Sequence, residues 1–312
     1  MIEMYVMHSA KVCVTYISFL RGTITEKTNI TDMLSPKLQI EDVHNTLVGG
    51  LRNFVHSTGA KKVVLGLSGG IDSAVVAALA VEALGKENVH GFLMPSDFST
   101  VHSVQDAVDL AENLGMSYDI VPIAKIWNKF MKELAPVFGP DNTWNVTEEN
   151  LQARIRGTLL MAYSNKFGAL LLNTSNKSEL STGYGTLYGD LAGAAMVIAD
   201  LYKCEVYELA HYINRNGVKI PVSTITKAPS AELREGQKDS DSLPDYSVLD
   251  PTLYALHEGG KTPQELIAEG TDKEIVEKIV RLKRGSAFKA AQIPPILNIS
   301  EKPLAFKEKW LL

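Results

Sequence analysis

The residues with the clearest chemical potential are Ser68-Gly69-Gly70-Ile71-Asp72-Ser73, which follow a short apolar run, Val63-Val64-Leu65-Gly66-Leu67. Paired glycines let a backbone approach an anion closely and take up positive φ. A helix starting at this point aims its free amides at the same anion, and Ser68 and Ser73 add hydroxyl donors. Asp72 is out of place beside a phosphate unless a cation lies between them. Mg²⁺ is ordinarily held by one or two carboxylates together with phosphate oxygens. Glu179, five residues after Thr174 at the end of another apolar run, is the carboxylate that could share such an ion. The segment lacks the lysine of a GxxxxGK[ST] loop and does not follow GxGxxG. The plainer alternative is an ordinary turn into a helix, with Asp72 as a cap and Glu179 as a charge on a helix face.

Cations follow downstream. Arg154 and Arg156 are two residues apart, so on a helix they point about 200° apart and serve different partners. Either guanidinium can fork onto a phosphate or a carboxylate, although surface exposure is the commoner fate of a helical arginine. Asn150 lies one turn before Arg154 on the same face. The seven histidines are scattered. His90 falls inside an apolar run and reads as a satisfied core residue, and His102 as lining a helix start. Trp127, Trp144 and Trp310 read as packing or interface residues.

These groups must be positioned by something. Ile40, Val43, Leu47, Leu51 and Phe54 share one helical face, which Gly59 ends. A strand–loop–helix rhythm follows, with strands predicted at 63–67, 89–94, 118–121 and 169–173. Helices are predicted at 72–84, 104–114 and 150–167, the last two ending at Gly115 and Gly168. Short apolar strands alternating with helices indicate an α/β fold, a doubly wound, mainly parallel sheet with helices on both faces. Residues 228–245 are polar, contain Pro229 and Pro244, and read as a mobile loop; helices resume near Tyr246, Pro263 and Lys273. One domain is expected over 38–312. Residues 1–37 are Thr-rich and weakly periodic, an N-terminal extension of uncertain structure.

Bulk composition narrows the class. The chain has 312 residues, 45% apolar and 21% charged, enough for a large core and typical of a globular protein. Its net charge of −5 argues against broad phosphate neutralisation, so no nucleic-acid partner is expected. Two cysteines, Cys13 and Cys204, make neither a disulfide framework nor a zinc site, and a reduced, cytoplasmic setting is the simplest reading. No apolar run approaches the ~18 residues of a membrane helix.

The motif Ser68-Gly69-Gly70-Ile71-Asp72-Ser73 resembles the pyrophosphate loop of the ATP pyrophosphatases, a group that includes NAD, GMP and argininosuccinate synthetases and tRNA-modifying ligases. Five further segments, in order, are similar to the NAD synthetase family: Met94-Pro95-Ser96, the run from Glu149 to Gly157, the run from Asn173 to Glu179, Thr186-Leu187-Tyr188-Gly189-Asp190, and Pro229-Ser230-Ala231-Glu232-Leu233. The resemblance covers roughly 38–312 and is nearest to the synthetase half of glutamine-dependent enzymes. It implies that ATP adenylates the carboxylate of deamido-NAD, releasing pyrophosphate, and that ammonia then displaces AMP. It further implies that Leu67, Ser68, Gly69, Gly70, Ile71, Asp72, Ser73, Met94, Thr174, Lys203 and Ser230 bind ATP. Asn150, Arg154, Glu179 and Lys289 would bind deamido-NAD, Asp72 and Glu179 would hold Mg²⁺, and residues 237–244 would close on substrate.

Asp72 and Lys203 are the expected catalytic groups, with Asp190 an acceptor for the proton that ammonium must lose. A homodimer with deamido-NAD at its interface is also implied by the family. Two departures stand out: Ser175 replaces the family's glycine after Thr174, and Ala290-Ala291 replace arginines after Lys289. Only 37 residues precede the synthetase-like region, too few for a nitrilase-like glutaminase, so direct use of ammonia is expected. A separate glutaminase partner, a fragment of a longer enzyme, another ATP pyrophosphatase such as a GMP synthetase, and a non-enzymatic nucleotide-binding protein are the competing readings.

Overall fold

The computed structural model describes residues 39–140, 143–300 and 304. The expectations for residues 1–37, with Cys13, and for Trp310 lie outside the described residues. Five parallel strands form one sheet: β1 (Lys62–Gly66), β2 (Val89–Leu93), β3 (Ser117–Ile120), β4 (Ala169–Asn173) and β5 (Ala195–Met196). Their order is β3-β2-β1-β4-β5. The chain runs from β1 outward to β3, then returns to lay β4 on the opposite side of β1. That reversal opens a crevice at the carboxyl ends of β1 and β4, where open α/β sheets bind ligands.

Strand alternation builds two apolar layers. Val63 and Leu65 of β1 face one way, into a core with α1 (Ile40–Ser57), α2 (Ile71–Leu84), α3 (Val101–Leu114) and α7 (Lys203–Ile213). Val64 and Leu171 face the other way, against α4 (Ala124–Phe138) and α5 (Val146–Phe167). Helix α2 is apolar almost all round, as a helix wedged between sheet and neighbouring helices must be. Its buried alanines let it lie close to α1 and α7. The remaining helices are the short α6 (Lys177–Thr182) and α8 (Val222–Thr226), then α9 (Tyr246–His257), α10 (Pro263–Ala268) and α11 (Lys273–Ser286). Helices α9 and α11 enclose a separate cluster of Tyr202, Leu243, Leu249, Leu253 and Ile279.

The expected strands and helices are present with ends shifted by up to four residues; α5 starts at Val146 rather than 150 because Asn145 and Glu148 form a capping box there. The same chemistry moves the start of α3 back to Val101, where Thr100 caps it by accepting from the Ser103 amide. Four elements were not anticipated: α4, α7, α8 and the two-residue β5. Strand β5 is short, yet a carboxy-terminal segment prolongs it: the Met196 amide donates to Pro295 at 2.8 Å and the Leu297 amide to Met196 at 3.1 Å. Residues 228–245, expected to be a mobile loop, are bonded in this structure to α3 through Glu232 and Thr100 and to α5 through Leu233 and Gln152.

Leu79 is fully buried in α2. Leu79→Ala keeps helix propensity and leaves a cavity, so urea unfolding should show a loss of about 2–5 kcal/mol with an unchanged m-value.

Candidate active site

The loop after β1 and the loop after β4 flank the crevice and enter a cavity of about 550 Å³. In the first loop, Gly69 has φ +77°, and a Cβ there would lie 2.1 Å from the Ser103 carbonyl oxygen. Only glycine fits. Gly70 is the N-cap of α2 and brings no capping side chain, so first-turn amides are left for another acceptor. Ser68 and Ser73 brace the loop: their hydroxyls lie 3.2 Å apart, the Gly70 amide donates to Ser68 Oγ at 3.1 Å, and Ser73 Oγ donates to Gly70 at 3.0 Å. Leu67 and Ile71 are buried core residues that form the floor beneath the loop. Met94, at the carboxyl end of β2, lines the same cavity.

Asp72 meets the second loop. Its Oδ1 accepts from Asn176 Nδ2 at 2.9 Å and its Oδ2 from Lys203 Nζ at 2.5 Å. Glu179 Oε1 lies 3.9 Å from the same ammonium. Burial pushes the Glu179 carboxyl well above its usual range and the Asp72 charge pushes it further, against the pull of Lys203 and the Asn176 amide. For Lys203, burial alone lowers the pKa, but Asp72 and Glu179 outweigh it and hold the amine firmly protonated. Glu179 also closes a capping box with Asn176, so one carboxylate both starts α6 and faces the cavity. The N-x-x-E spacing was readable in the sequence; the role of Asn176 in holding Asp72 was not, because it depends on bringing positions 104 apart together.

Two hard carboxylates facing a phosphate cradle suit Mg²⁺, which keeps phosphate and water ligands rather than an all-protein cage. Among the described residues no group of three or more His, Cys, Asp or Glu forms such a cage. Thr174 lines the cavity beside them. Ser175 stands where the family has glycine, which raises the question of whether this loop needs a positive φ that serine adopts poorly. It does not: its φ is not positive, and its amide donates to Asn173 Oδ1 at 2.8 Å.

Asn150, Arg156, Asp190 and Lys289 line the same cavity. Helix α5 touches the 186–190 loop backbone to backbone: a Cβ on Gly157 would lie 3.0 Å from the Tyr188 carbonyl, and one on Gly189 2.9 Å from Ala153. Asn150 Oδ1 accepts from Thr186 Oγ1 at 2.7 Å, and Asp190 Oδ1 accepts from the Thr186 amide at 2.9 Å. Burial raises the Asp190 carboxyl, with Thr186 and Lys289 opposing. Lys289 Nζ donates to the Gly183 and Gly185 carbonyls at 2.8 and 2.6 Å, and burial lowers its pKa.

The two arginines part as their spacing requires. Arg154 is exposed, reaches Leu187 O at 3.3 Å and does not line the cavity. Arg156 does line it; its Nε donates to Met94 O at 3.0 Å, and burial lowers its pKa to about 10 against Asp190 and Glu232, leaving it charged at neutral pH. Arg156 is a cavity group that motif matching passed over. Ser230 lines the cavity rim while its hydroxyl donates to Gln237 O at 2.5 Å.

His90 sits between Ser117 (2.8 Å) and Asp119 (3.1 Å) and stacks on Tyr163, far from this chemistry. His102 is exposed in the first turn of α3. Trp127 and Trp144 pack on each other at 5.7 Å.

A model of the NAD synthase family matches residues 43–293. A glutamine-dependent NAD(+) synthetase of Synechocystis sp. is 51% identical over 275 residues, 88% of this chain and 49% of that protein. The chain thus spans about half the length of such curated relatives. The structure of an NH3-dependent NAD synthetase from Campylobacter jejuni, in complex with nitrate, is 35% identical with a TM-score of 0.67, covering 84% of this chain and all of that one. An NMN synthetase from Francisella tularensis is 29% identical with a TM-score of 0.70, covering 86% of this chain and all of its own.

Replacing Lys203 by Met leaves two carboxylates facing each other without a cation, a change expected to cost roughly 3–5 kcal/mol at neutral pH. A carboxyl whose folded pKa lies above its unfolded value stabilises below the unfolded pKa and loses that contribution as pH rises. The Lys203→Met deficit in urea midpoint should therefore shrink from pH 7 to pH 5; an equal deficit at both pH values would contradict this account.

Proposed function

The chain belongs to the NAD synthase family, and from that premise we propose that it makes NAD by ATP-dependent amidation of deamido-NAD. The observation that carries the reading is the single cavity that joins a glycine-lined anion cradle, with Asp72, Lys203 and Glu179, to a second polar cluster of Asn150, Asp190 and Lys289.

A carboxylate is a poor acyl donor because oxide leaves badly. In the proposed first step its oxygen attacks the α-phosphorus of ATP, forming an acyl adenylate as pyrophosphate departs. The amides at the start of α2, the Ser68 and Ser73 hydroxyls and Lys203 offset charge that gathers on the leaving group. Electrostatic preorganisation of this kind needs no covalent nucleophile. Mg²⁺, held by Asp72 and Glu179, would supply further neutralisation on the phosphates. In the second step ammonia nitrogen attacks the acyl carbon and AMP leaves. Ammonium must first lose a proton, and Asp190, made more basic by burial, is the proposed acceptor. Met94, Thr174 and Ser230 complete the proposed ATP contacts. Asn150 and Lys289 are the proposed contacts to deamido-NAD, with Arg154 reaching it from outside the cavity.

A homodimer is also proposed. None of the described side chains of α4 is buried, and Phe130, Val137, Phe138, Trp144 and Val146 are exposed around it. An apolar face of this kind on a helix is what a second copy would cover. No helix among the described residues is long and apolar enough to cross a membrane; a cytoplasmic enzyme accords with the reading.

The test is NAD formation from Mg²⁺-ATP and deamido-NAD, with ammonium and glutamine compared as nitrogen donors. Nicotinate mononucleotide is the competing acceptor, given the likeness to an NMN synthetase. Activity on ammonium alone is expected. Glutamine-supported activity without an added glutaminase would overturn the ammonia assignment. Asp72→Asn should lower turnover by about 10²-fold or more while ATP binding partly survives; normal turnover would remove Asp72 from the mechanism. A strict monomer with full activity, measured by sedimentation, would set the dimer aside.

A further inference from the structure

Helix α7 begins at Lys203, and what caps it comes from elsewhere in the chain. Its N-cap is Tyr202, whose side chain makes no capping bond and whose hydroxyl donates to Glu258 at 2.8 Å. Ser, Thr, Asp or Asn ordinarily fills this place, because the first amides of a helix have no partner within it. Here two other helices supply the acceptors. The Lys203 amide donates to Ser178 Oγ of α6 at 2.9 Å, and the Cys204 amide donates to Asp250 Oδ2 of α9 at 2.9 Å. Asp250 Oδ1 joins the two by accepting from Ser178 Oγ at 2.5 Å. Asp250 and Ser178 are both wholly buried, and neither lines the cavity. Burial raises the Asp250 carboxyl to about 6 against the pull of Ser178, Cys204 and Lys203, so it is ionised at neutral pH. Its charge sits at the positive end of α7.

The neighbours of these bonds are the groups of the cavity. Ser178 precedes Glu179, and Cys204 follows Lys203. Asp250 therefore ties the backbone that carries the lysine to the helix that carries the second carboxylate. The ion pairs of Lys203 with Asp72 at 2.5 Å and Glu179 at 3.9 Å fix the tip of its side chain. The bonds to Ser178 and Asp250 fix its root.

We infer that Asp250 is a positioning residue for the adenylation step: with Ser178 it sets the backbone from which Lys203 reaches the leaving pyrophosphate. The inference rests on the reading that this cavity takes ATP. Charge gathers on the departing oxygen only as its bond to the α-phosphorus breaks. An ammonium moved from its place thus weakens the transition state more than it weakens bound ATP. A shift of about 1 Å can cost about 10²-fold in rate.

Asp250→Asn keeps the size of the side chain but leaves one oxygen to face two donors, the Ser178 hydroxyl and the Cys204 amide. Ser178→Ala removes the oxygen that accepts from the Lys203 amide and suits the helix. Three measurements are made on the full chain: hydrogen–deuterium exchange at residues 203 and 204, Mg²⁺-ATP binding by calorimetry, and exchange of labelled pyrophosphate into ATP with deamido-NAD and no ammonium. The last reads adenylation alone. Expected for each variant are amide exchange at 203 and 204 at least about tenfold faster, pyrophosphate exchange slower by about tenfold or more, and an ATP dissociation constant within about threefold of wild type. The double variant should lose little more than the worse single one, since both act through one network. Unchanged amide exchange overturns the inference, and so does loosened amide exchange with unchanged pyrophosphate exchange. Faster amide exchange spread through all of α7, with ATP affinity falling in step with rate, marks a purely structural role and overturns it too. Should Asp250→Asn not fold, Ser178→Ala decides by the same criteria. Should the wild-type protein neither bind Mg²⁺-ATP nor exchange pyrophosphate, the functional reading falls. Amide exchange then decides the positioning of Lys203 alone, a faster rate at 203 and 204 upholding it and an equal rate overturning it.

Discussion

A protonated lysine held between two carboxylates inside the protein is the interaction on which the rest of the site depends. Lys203 is almost wholly buried, and burial disfavours its charge; Asp72 at 2.5 Å and Glu179 at 3.9 Å restore it. Each of the three comes from a different place: the start of α2, the start of α6 and the start of α7. Taking any one away strands the others in a low-dielectric setting. The loops after β1 and β4 are therefore locked to each other and to α7 by charge, and the anion cradle inherits that rigidity. The parallel sheet's role is to bring the three starts to one edge.

A second buried ion cluster supports the first from behind. Lys177, adjacent to Asn176, reaches Asp200 at 3.0 Å and Glu258 at 2.5 Å, and Tyr202 donates to Glu258 at 2.8 Å. Asp200 in turn accepts from the Ile299 and Ser300 amides, both at 2.7 Å. The carboxy-terminal segment that prolongs β5 is thus tied to the helix carrying Glu179. Asn176 and Lys177, neighbours in sequence, face opposite ways: one steadies Asp72, the other anchors the helix to the strand edge and α9.

Helix α5 works on two fronts. Its inward face packs Ile155 and Leu160 on the sheet, while Asn150 and Arg156 look into the cavity. Gly157 and Gly189 allow it to touch the 186–190 loop through backbone. That contact turns two stretches of sequence, the arginine-bearing helix and the loop ending at Asp190, into one wall. Arg154, two residues from Arg156, is exposed because a helix cannot aim both at the same place.

Local chemistry determined much of this protein from sequence alone. The period of apolar residues specified the strands and the amphipathic helix of 40–57, since burial demands that spacing. Gly69 announced a loop that only a residue without Cβ can make, and Asn176-Lys177-Ser178-Glu179 carried its own capping signal. Tertiary structure alone decided which groups meet. Asn176 finding Asp72, Lys203 lying between two carboxylates, Arg156 rather than Arg154 entering the cavity, and Glu232 reaching the helix at Thr100 are contacts between positions from 24 to 132 apart. Helix α4 is as strongly amphipathic as any described helix, so its period was legible in the sequence; Pro136 inside the run is the local signal that argued against a helix. Strand β5 escaped because two residues carry no period at all; it exists through its neighbours β4 and the segment near Ile296. Periodicity reports which face of a segment avoids water, and it is silent about which distant segment will cover that face.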